Sequence, residues 1–190
     1  LKSTVHLTVE FSGKDVGLRS SGGLFTNDID VEYVALDMKG VAQANSRDIA
    51  HLQLLPATRA AFSQTGVRYV TELELAPGRY QLRIGARERL GGRTGSVFCD
   101  LDVPDFAGAP LAMSDLLMTT SSATRTATPN ITSTIGRILP APTTTSREFT
   151  AADTITAAAS IYDNDTRAPH QVDVAATVLS DVGAQVFLRE

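Results

Sequence analysis

The sequence predicts an all-β fold, an antiparallel β-sandwich, on three observations. Apolar and polar residues alternate in short runs, as in Val5-His6-Leu7-Thr8-Val9-Glu10-Phe11, which is the period of a half-buried strand. Glycine and proline turns separate these runs, with little that has the length of a helix. The run Leu75-Ala-Pro-Gly-Arg-Tyr80 closes one strand, turns at Pro77-Gly78 and opens another. The inner face of that next strand reads Tyr80, Leu82, Ile84 and Ala86, with proline and glycine suited to the turn before it.

The elements follow in order. Val5 to Phe11 is a strand, and the Gly/Ser/Asp-rich stretch from Gly13 to Asn27 reads as a loop. Ile29 to Met38 is apolar on both faces, which predicts a central strand ending in a turn at Lys39-Gly40. A short strand is expected at 49–55. Pro56 to Gln64 starts with proline and is followed by Gly66, the signature of one or two helical turns. Val67 to Leu75 alternates again, Leu90-Gly-Gly-Arg93 reads as a hairpin turn, and Val97, Cys99, Leu101 and Val103 form the inner face of the strand after it. A tyrosine just after such a turn can bond back to the corner, as in immunoglobulin and fibronectin type III sandwiches. Residues 1–107 are therefore expected to form one immunoglobulin/fibronectin-III-like sandwich, with Pro77, Gly78 and Tyr80 as structural residues.

Pro104 to Pro110 reads as a junction, and Leu111 to Met118 as a strand. From Thr119 to Ser146 the chain is dense in Thr and Ser, with Pro129, Pro140 and Pro142. That composition lacks the apolar mass for a core and predicts a mobile or extended segment; if ordered, it should pack across the first sandwich. Strand patterns return at Thr154 to Tyr162 and Val172 to Leu179, then a turn at Asp181-Val-Gly183 and a last strand ending at Leu188. Ile29-Asp-Val31 through Leu36 to Gly40 echoes Val172-Asp-Val174 through Leu179 to Gly183 at one constant offset. Two hairpins can share so short a match by chance. If it is a duplication, residues 111–190 are a second, incomplete sandwich in tandem with the first. Such a unit leaves an unpaired edge, which invites a protein partner or self-association.

At 190 residues and 43% hydrophobic, the chain can hold a sizeable core, which must rest on aliphatic side chains because there is no Trp. The net charge of -4 gives no general attraction to nucleic acid or anionic lipid. No apolar run has the roughly 20 residues needed to span a bilayer, so no membrane insertion is expected. Cys99 is the only cysteine; it can form no internal disulfide and no cysteine-based zinc site. Its place among core residues predicts a buried structural thiol. The chain begins at Leu1 and reads as a piece of a longer protein, any export signal lying upstream.

Candidate sites are few. Arg79, Gln81, Arg83, Arg87 and Arg89 line one outer face, which reads either as an anion or polysaccharide site or as ordinary cross-strand pairing. With Arg89 across from Thr94, Arg83 would face Asp100 and Gln81 would face Asp102. Asp102 and Asp105 at a strand end, and Asp163 and Asp165 in a second acidic group, are calcium candidates, although neither run has EF-hand spacing. Solvated turn aspartates are the alternative. Gly91-Gly-Arg-Thr-Gly95 lacks the lysine of a phosphate loop. His6, His51 and His170 show no metal-ligand spacing, and no nucleophile signature is present. No cofactor is implied.

Three segments carry a more particular resemblance: Leu75-Ala-Pro-Gly-Arg-Tyr-Gln-Leu-Arg-Ile84, Gly92-Arg-Thr-Gly-Ser-Val97 and Asp102-Val-Pro-Asp-Phe106. Together they resemble the region that follows the von Willebrand factor type A domain in large bacterial "VWFA-related" proteins of the acidobacterial type. Asp30 to Gly40 and Leu111 to Leu116 fit the same pattern. The resemblance covers most of 28–118 and, more weakly, 147–185. The type A domain and its Asp-x-Ser-x-Ser metal site are not in this sequence, so no metal-adhesion role carries over. The resemblance implies an exported or envelope-associated, extracytoplasmic protein in which such modules serve as spacers or interaction surfaces. It supplies no catalytic residue.

The expected function is thus a non-enzymatic structural or protein-interaction module. A carbohydrate-binding module is the alternative, disfavoured by the lack of Trp platforms, and a hydrolase built around His51 or His170 is a third. A small-molecule ligand is not expected.

Overall fold

The computed structural model describes residues 1–129, 138–165, 167 and 171–189. Its strands are β1 (Ser3–Phe11), β2 (Arg19–Ser21), β3 (Leu24–Asp37), β4 (Ala42–Leu54), β5 (Val67–Leu75), β6 (Gly78–Glu88) and β7 (Thr94–Val103), with one helix, α1 (Pro56–Thr65), between β4 and β5. Further along come β8 (Leu111–Met113), β9 (Leu117–Thr120), β10 (Ile155–Ala158), β11 (Ile161–Asp163), β12 (Ala176–Leu179) and β13 (Gln185–Arg189). The fold is all-β, as the alternation predicts.

Two antiparallel sheets enclose the core. The larger runs β4-β3-β6-β7, with β2 and β6 on successive stretches of one edge of β3. The smaller holds β1 and β5 in continuous register from Ser3↔Leu75 to Phe11↔Val67. Ile29, Val31, Tyr33 and Ala35 point from β3 into the core, Leu82 and Ile84 from β6, and Val67, Tyr69, Leu73 and Leu75 from β5. Only one face of β3 is deeply buried: Val34 and Leu36 on the other are half-buried, and Met38, expected in the strand, lies in the turn after it and is 73% exposed. The Gly/Ser-rich stretch expected as a loop holds β2 and the start of β3, joined at Gly22-Gly23 with positive φ, and the expected short strand at 49–55 is the end of the much longer β4.

The corner and helix match expectation closely. The Tyr80 hydroxyl donates to the Ala76 carbonyl at 2.7 Å. Helix α1 starts on Pro56, buries Phe62 and stops at Gly66, whose N–H donates to the Phe62 carbonyl. Gly66 has φ +66°, and a Cβ there would lie 2.2 Å from the Phe11 carbonyl oxygen. Only glycine fits both the backbone conformation and the space.

Beyond β7, β8 pairs with β11 and β9 with β10, forming one interrupted antiparallel arm, and β12 pairs with β13. The β12–β13 turn repeats the β3–β4 turn. In the first, Asp37 N–H donates to Val41 O and Gly40 N–H to Asp37 O; in the second, Ser180 N–H donates to Ala184 O and Gly183 N–H to Ser180 O. The first side chain accepts from the fifth backbone N–H in both, Asp37 from Val41 and Ser180 from Ala184. Gly40 and Gly183 have φ of 78° and 80°, and the ladder shifts register just before Leu36 in one hairpin and just before Leu179 in the other. The sequence echo is therefore also an echo of hydrogen bonding and of bulge position. The apolar side chains differ in burial: Ile29 and Val31 are 1% exposed, but Val174 is 55% and Leu179 59% exposed.

The described parts of the Thr/Ser-rich stretch form a strap on the outer face of β5. Ala127 bridges to Val67, and its carbonyl accepts the Arg68 N–H. The Arg68 guanidinium, 1% exposed, donates to the Ala123 carbonyl at 3.0 Å and pairs with Glu10 at 2.7 Å. Thr144 and Thr145 donate to the same Glu10 carboxylate, and the Thr8 and Thr143 hydroxyls bond to each other. Thr119, Thr143 and Leu139 are buried. Hydroxyls and backbone groups thus do what apolar mass does in the core, which is why a composition that predicts an extended segment is compatible with ordered packing. Residues 130–137 of that stretch lie outside the described residues.

Candidate functional site: an open groove between two strand edges

Four strands of the larger sheet face only two in the smaller. β7 consequently overhangs β1, and the inward side chains of its first half lack cover. Val103 is buried, but Val97 is 53% exposed and Cys99 is exposed. This corrects the expectation of a buried thiol. Alternation assigns Cys99 to the inner face correctly, but burial depends on a facing strand that alternation cannot count.

A groove of about 480 Å³ opens along this overhang. Val9 and Phe11 of β1 form one wall, Ile84 and Ala86 the floor, and Val97 of β7 the other wall. β1 pairs only with β5 and β7 only with β6, so among the described residues both walls end in unpaired backbone edges. The charged groups at the rim already have partners. Glu88, 5% exposed, accepts from the Asn27 amide and from the backbone N–H groups of Leu90, Gly91 and Arg93. Burial works to raise the Glu88 pKa, but the Asn27 amide and those N–H donors outweigh it and hold the carboxyl below its usual value. Arg93 donates to the Lys14 carbonyl and to Asp15. The groove can therefore offer apolar contact and main-chain hydrogen bonds, the two things an extended peptide needs.

Glu88 also explains a second correction. β6 and β7 pair as Arg87↔Thr94, Arg83↔Phe98, Gln81↔Asp100 and Arg79↔Asp102, so Arg83 does not face Asp100. The expected register assumed a tight turn at Leu90-Gly-Gly-Arg93. The Glu88 carboxylate instead caps a wider loop from 88 to 93 and shifts every pair below it by two residues. Arg83 donates to Gln81 on its own strand, and Arg89 turns to Asp30 and Asp28.

Three of the four calcium candidates accept from protein donors. The Asp105 carboxylate accepts the Ala107 N–H, Asp163 accepts the Asp165 N–H, and Asp165 pairs with Arg167 at 2.7 Å; Asp102 faces Arg79. The Phe106 and Ala109 carbonyls, which a cation at this junction could have used, accept the Asn164 amide. Phe106 and Tyr162 stack at 4.7 Å beside it. No cluster of metal-ligating side chains occurs among the described residues. His51, 60% exposed, bonds to Asp28 at 2.8 Å beside a shallow cleft whose lining residues include no serine, and His6 faces Glu72. His170 lies outside the described residues. No described helix is long and apolar enough to cross a membrane.

The sequence reading missed the Glu10–Arg68 pair and the Glu88 cap. Glu10 stands on the polar face of β1 and nothing local shows that Thr144 and Thr145 close over it. The signal for Glu88 was its place directly before a glycine-rich turn. A scan against family models finds no match to this chain, and neither do searches of curated proteins and of solved structures.

Proposed function

We propose that this protein is a non-enzymatic structural or protein-interaction module, acting through its strand edges. The observation that carries the reading is the pair of unpaired edges, β1 and β7, flanking an apolar groove. Exposed edges of this kind are templates for main-chain pairing. The Tyr80–Ala76 bond supports an immunoglobulin/fibronectin-III-like sandwich, and the repeated turn supports a second unit in tandem. The resemblance to the region after the type A domain in VWFA-related bacterial proteins supports an extracytoplasmic setting. On this reading the partner is a protein, not a nucleic acid, a lipid bilayer or a small molecule.

The test is a panel of ester, glycoside, peptide and phosphate-ester substrates together with a glycan array. No turnover and no glycan binding are expected. Turnover that survives repurification and is lost in His51→Ala refutes the reading, and glycan binding above background replaces it with the carbohydrate-module alternative.

A further inference from the structure

We infer that β7 is a self-docking edge: two copies of this chain join antiparallel along Thr94–Val103, continuing the larger sheet across a two-fold axis at Phe98. The inference rests on the interaction-module reading and deepens it, naming the edge and the partner. Every residue from Thr94 to Asp100 is exposed, on both faces of the strand, with Val97 at 53% and Phe98 at 69%. Among the described residues β7 pairs only with β6. Natural sheets guard such an edge with lysine, proline or a bulge. Thr94–Val103 holds no lysine, arginine or proline, and its ladder with β6 runs without a register shift. β4, at the opposite edge of the same sheet, carries exposed Arg47 and Asp48 and has a bulge in its ladder with β3.

The hydrogen-bond phase and the charge pattern select a second copy and its register. The Glu88 N–H donates to the Arg93 carbonyl, and with Arg87 opposite Thr94 this fixes the alternation of the β6–β7 ladder. Gly95, Val97, Cys99, Leu101 and Val103 turn their backbone groups to β6. Thr94, Ser96, Phe98, Asp100 and Asp102 turn theirs to the free edge. These five are complementary to themselves. With Phe98 on the axis, Ser96 meets Asp100 and Thr94 meets Asp102 in both directions. Each free N–H then finds a carbonyl, and neither aspartate faces another. On the groove side Val97 meets Cys99, so each copy covers the residues that its own smaller sheet leaves bare. A slip of two residues one way sets Asp100 against Phe98 and Thr94 against Pro104, which has no N–H. A slip the other way sets Asp102 against Gly92, in the loop at φ +74°. The two-fold contact also closes on itself, whereas β7 against β1 or β4 of another copy would continue into an open chain.

The test is sedimentation equilibrium of the whole chain together with residue-resolved amide hydrogen exchange, at low salt and with reductant to keep Cys99 a thiol. A single strand pair is a small interface, below about 1,200 Å², which places it in the weak class, so the series runs from about 1 μM to about 1 mM protein. A reversible monomer–dimer equilibrium is expected, with the Ser96, Phe98 and Asp100 amides slowing as dimer forms. Variants at exposed positions read the register. Phe98→Lys sets like charges across the axis and should weaken the dimer about tenfold or more. Ser96→Asp sets a like charge against Asp100 twice in each dimer and should weaken it about tenfold. Ser96→Lys sets opposite charges there and should dimerise at least as tightly as the wild type. The proposal is overturned by a chain that stays monomeric throughout the series, by a dimer that protects β1, β4 or β12–β13 and leaves β7 exchanging, or by Ser96→Asp and Ser96→Lys acting alike or in the reverse order. Those outcomes remove β7 self-pairing and leave the interaction-module reading standing; enzymatic turnover in the substrate panel removes that reading itself.

Discussion

Replacing Glu10 by Gln tests the strap most directly. Arg68 is 1% exposed, and its charge is met by the Glu10 carboxylate, through Nε at 2.8 Å and Nη2 at 2.7 Å, and by the Ala123 carbonyl. The glutamine carbonyl can keep the bonds made at Oε1, and its amide would face the Thr145 hydroxyl, which can turn to accept, so what is lost is chiefly the carboxylate charge opposite the buried guanidinium. Breaking a buried ion pair from one side costs about 3–5 kcal/mol. The Glu10 side chain is 26% exposed, so water screens part of this, and a loss of about 2–3 kcal/mol is expected. For a chain of this size that is a fall in Tm of roughly 5–10 °C. Thermal unfolding gives the total, and hydrogen exchange should show residues 117–128 and 142–146 opening first. The double variant Glu10→Leu with Arg68→Met removes both charges and should lose less than Glu10→Gln alone. A change under about 0.5 kcal/mol in Glu10→Gln, with unaltered exchange in the strap, would refute the reasoning, because Arg68 could not then be buried against these partners.

Three further outcomes follow from the same geometry. Native Cys99 should react with a thiol reagent within a few-fold of the unfolded rate, and strong protection would mean that something covers β7. Gly66→Ala forces a Cβ to within 2.2 Å of the Phe11 carbonyl oxygen at φ +66°; a loss of about 2–3 kcal/mol is expected in denaturant unfolding, and a neutral effect would show that the β1–α1 approach is looser. Glu88 has its carboxyl pKa lowered on folding from 4.5, so its contribution is fully present above that value and is lost as pH falls through it toward the folded pKa. Glu88→Gln should therefore flatten the decline in stability below about pH 4.5 and cost about 1.5–3 kcal/mol at neutral pH; an unchanged acid limb would assign that decline to other carboxylates.

What the sequence made legible was whatever depends on near neighbours. The strand alternation, the Pro77-Gly78-Tyr80 corner, the Pro56 start and Gly66 stop of α1, and the turn at Gly183 are all set within a few residues, and each is present. What escaped depends on partners distant in the chain. Cys99 has the correct alternation, but its exposure is decided by how many strands stand opposite. The β6–β7 register turned on a carboxylate cap that a tight-turn reading of two glycines leaves out. The strap bonds Thr8 to Thr143 and Arg68 to Ala123, and no local composition rule reports that a threonine-rich run will find a buried arginine to close over. At the groove, alternation identified the residues of both walls, but the gap between them exists only in three dimensions.

The strap means that the order of units along the chain differs from their order in space. A chain cut after Val103 would end at a natural-looking junction and keep both sheets whole. It would nevertheless bare Arg68 and Val70, which the intact protein holds at 1% and 4% exposure, on a strand face that has lost its lid. Such a fragment should be sticky and short-lived even with every one of its core contacts retained. Any attempt to cut out the first sandwich for study or reuse must therefore carry residues 117–146 with it or redesign the outer face of β5 for water.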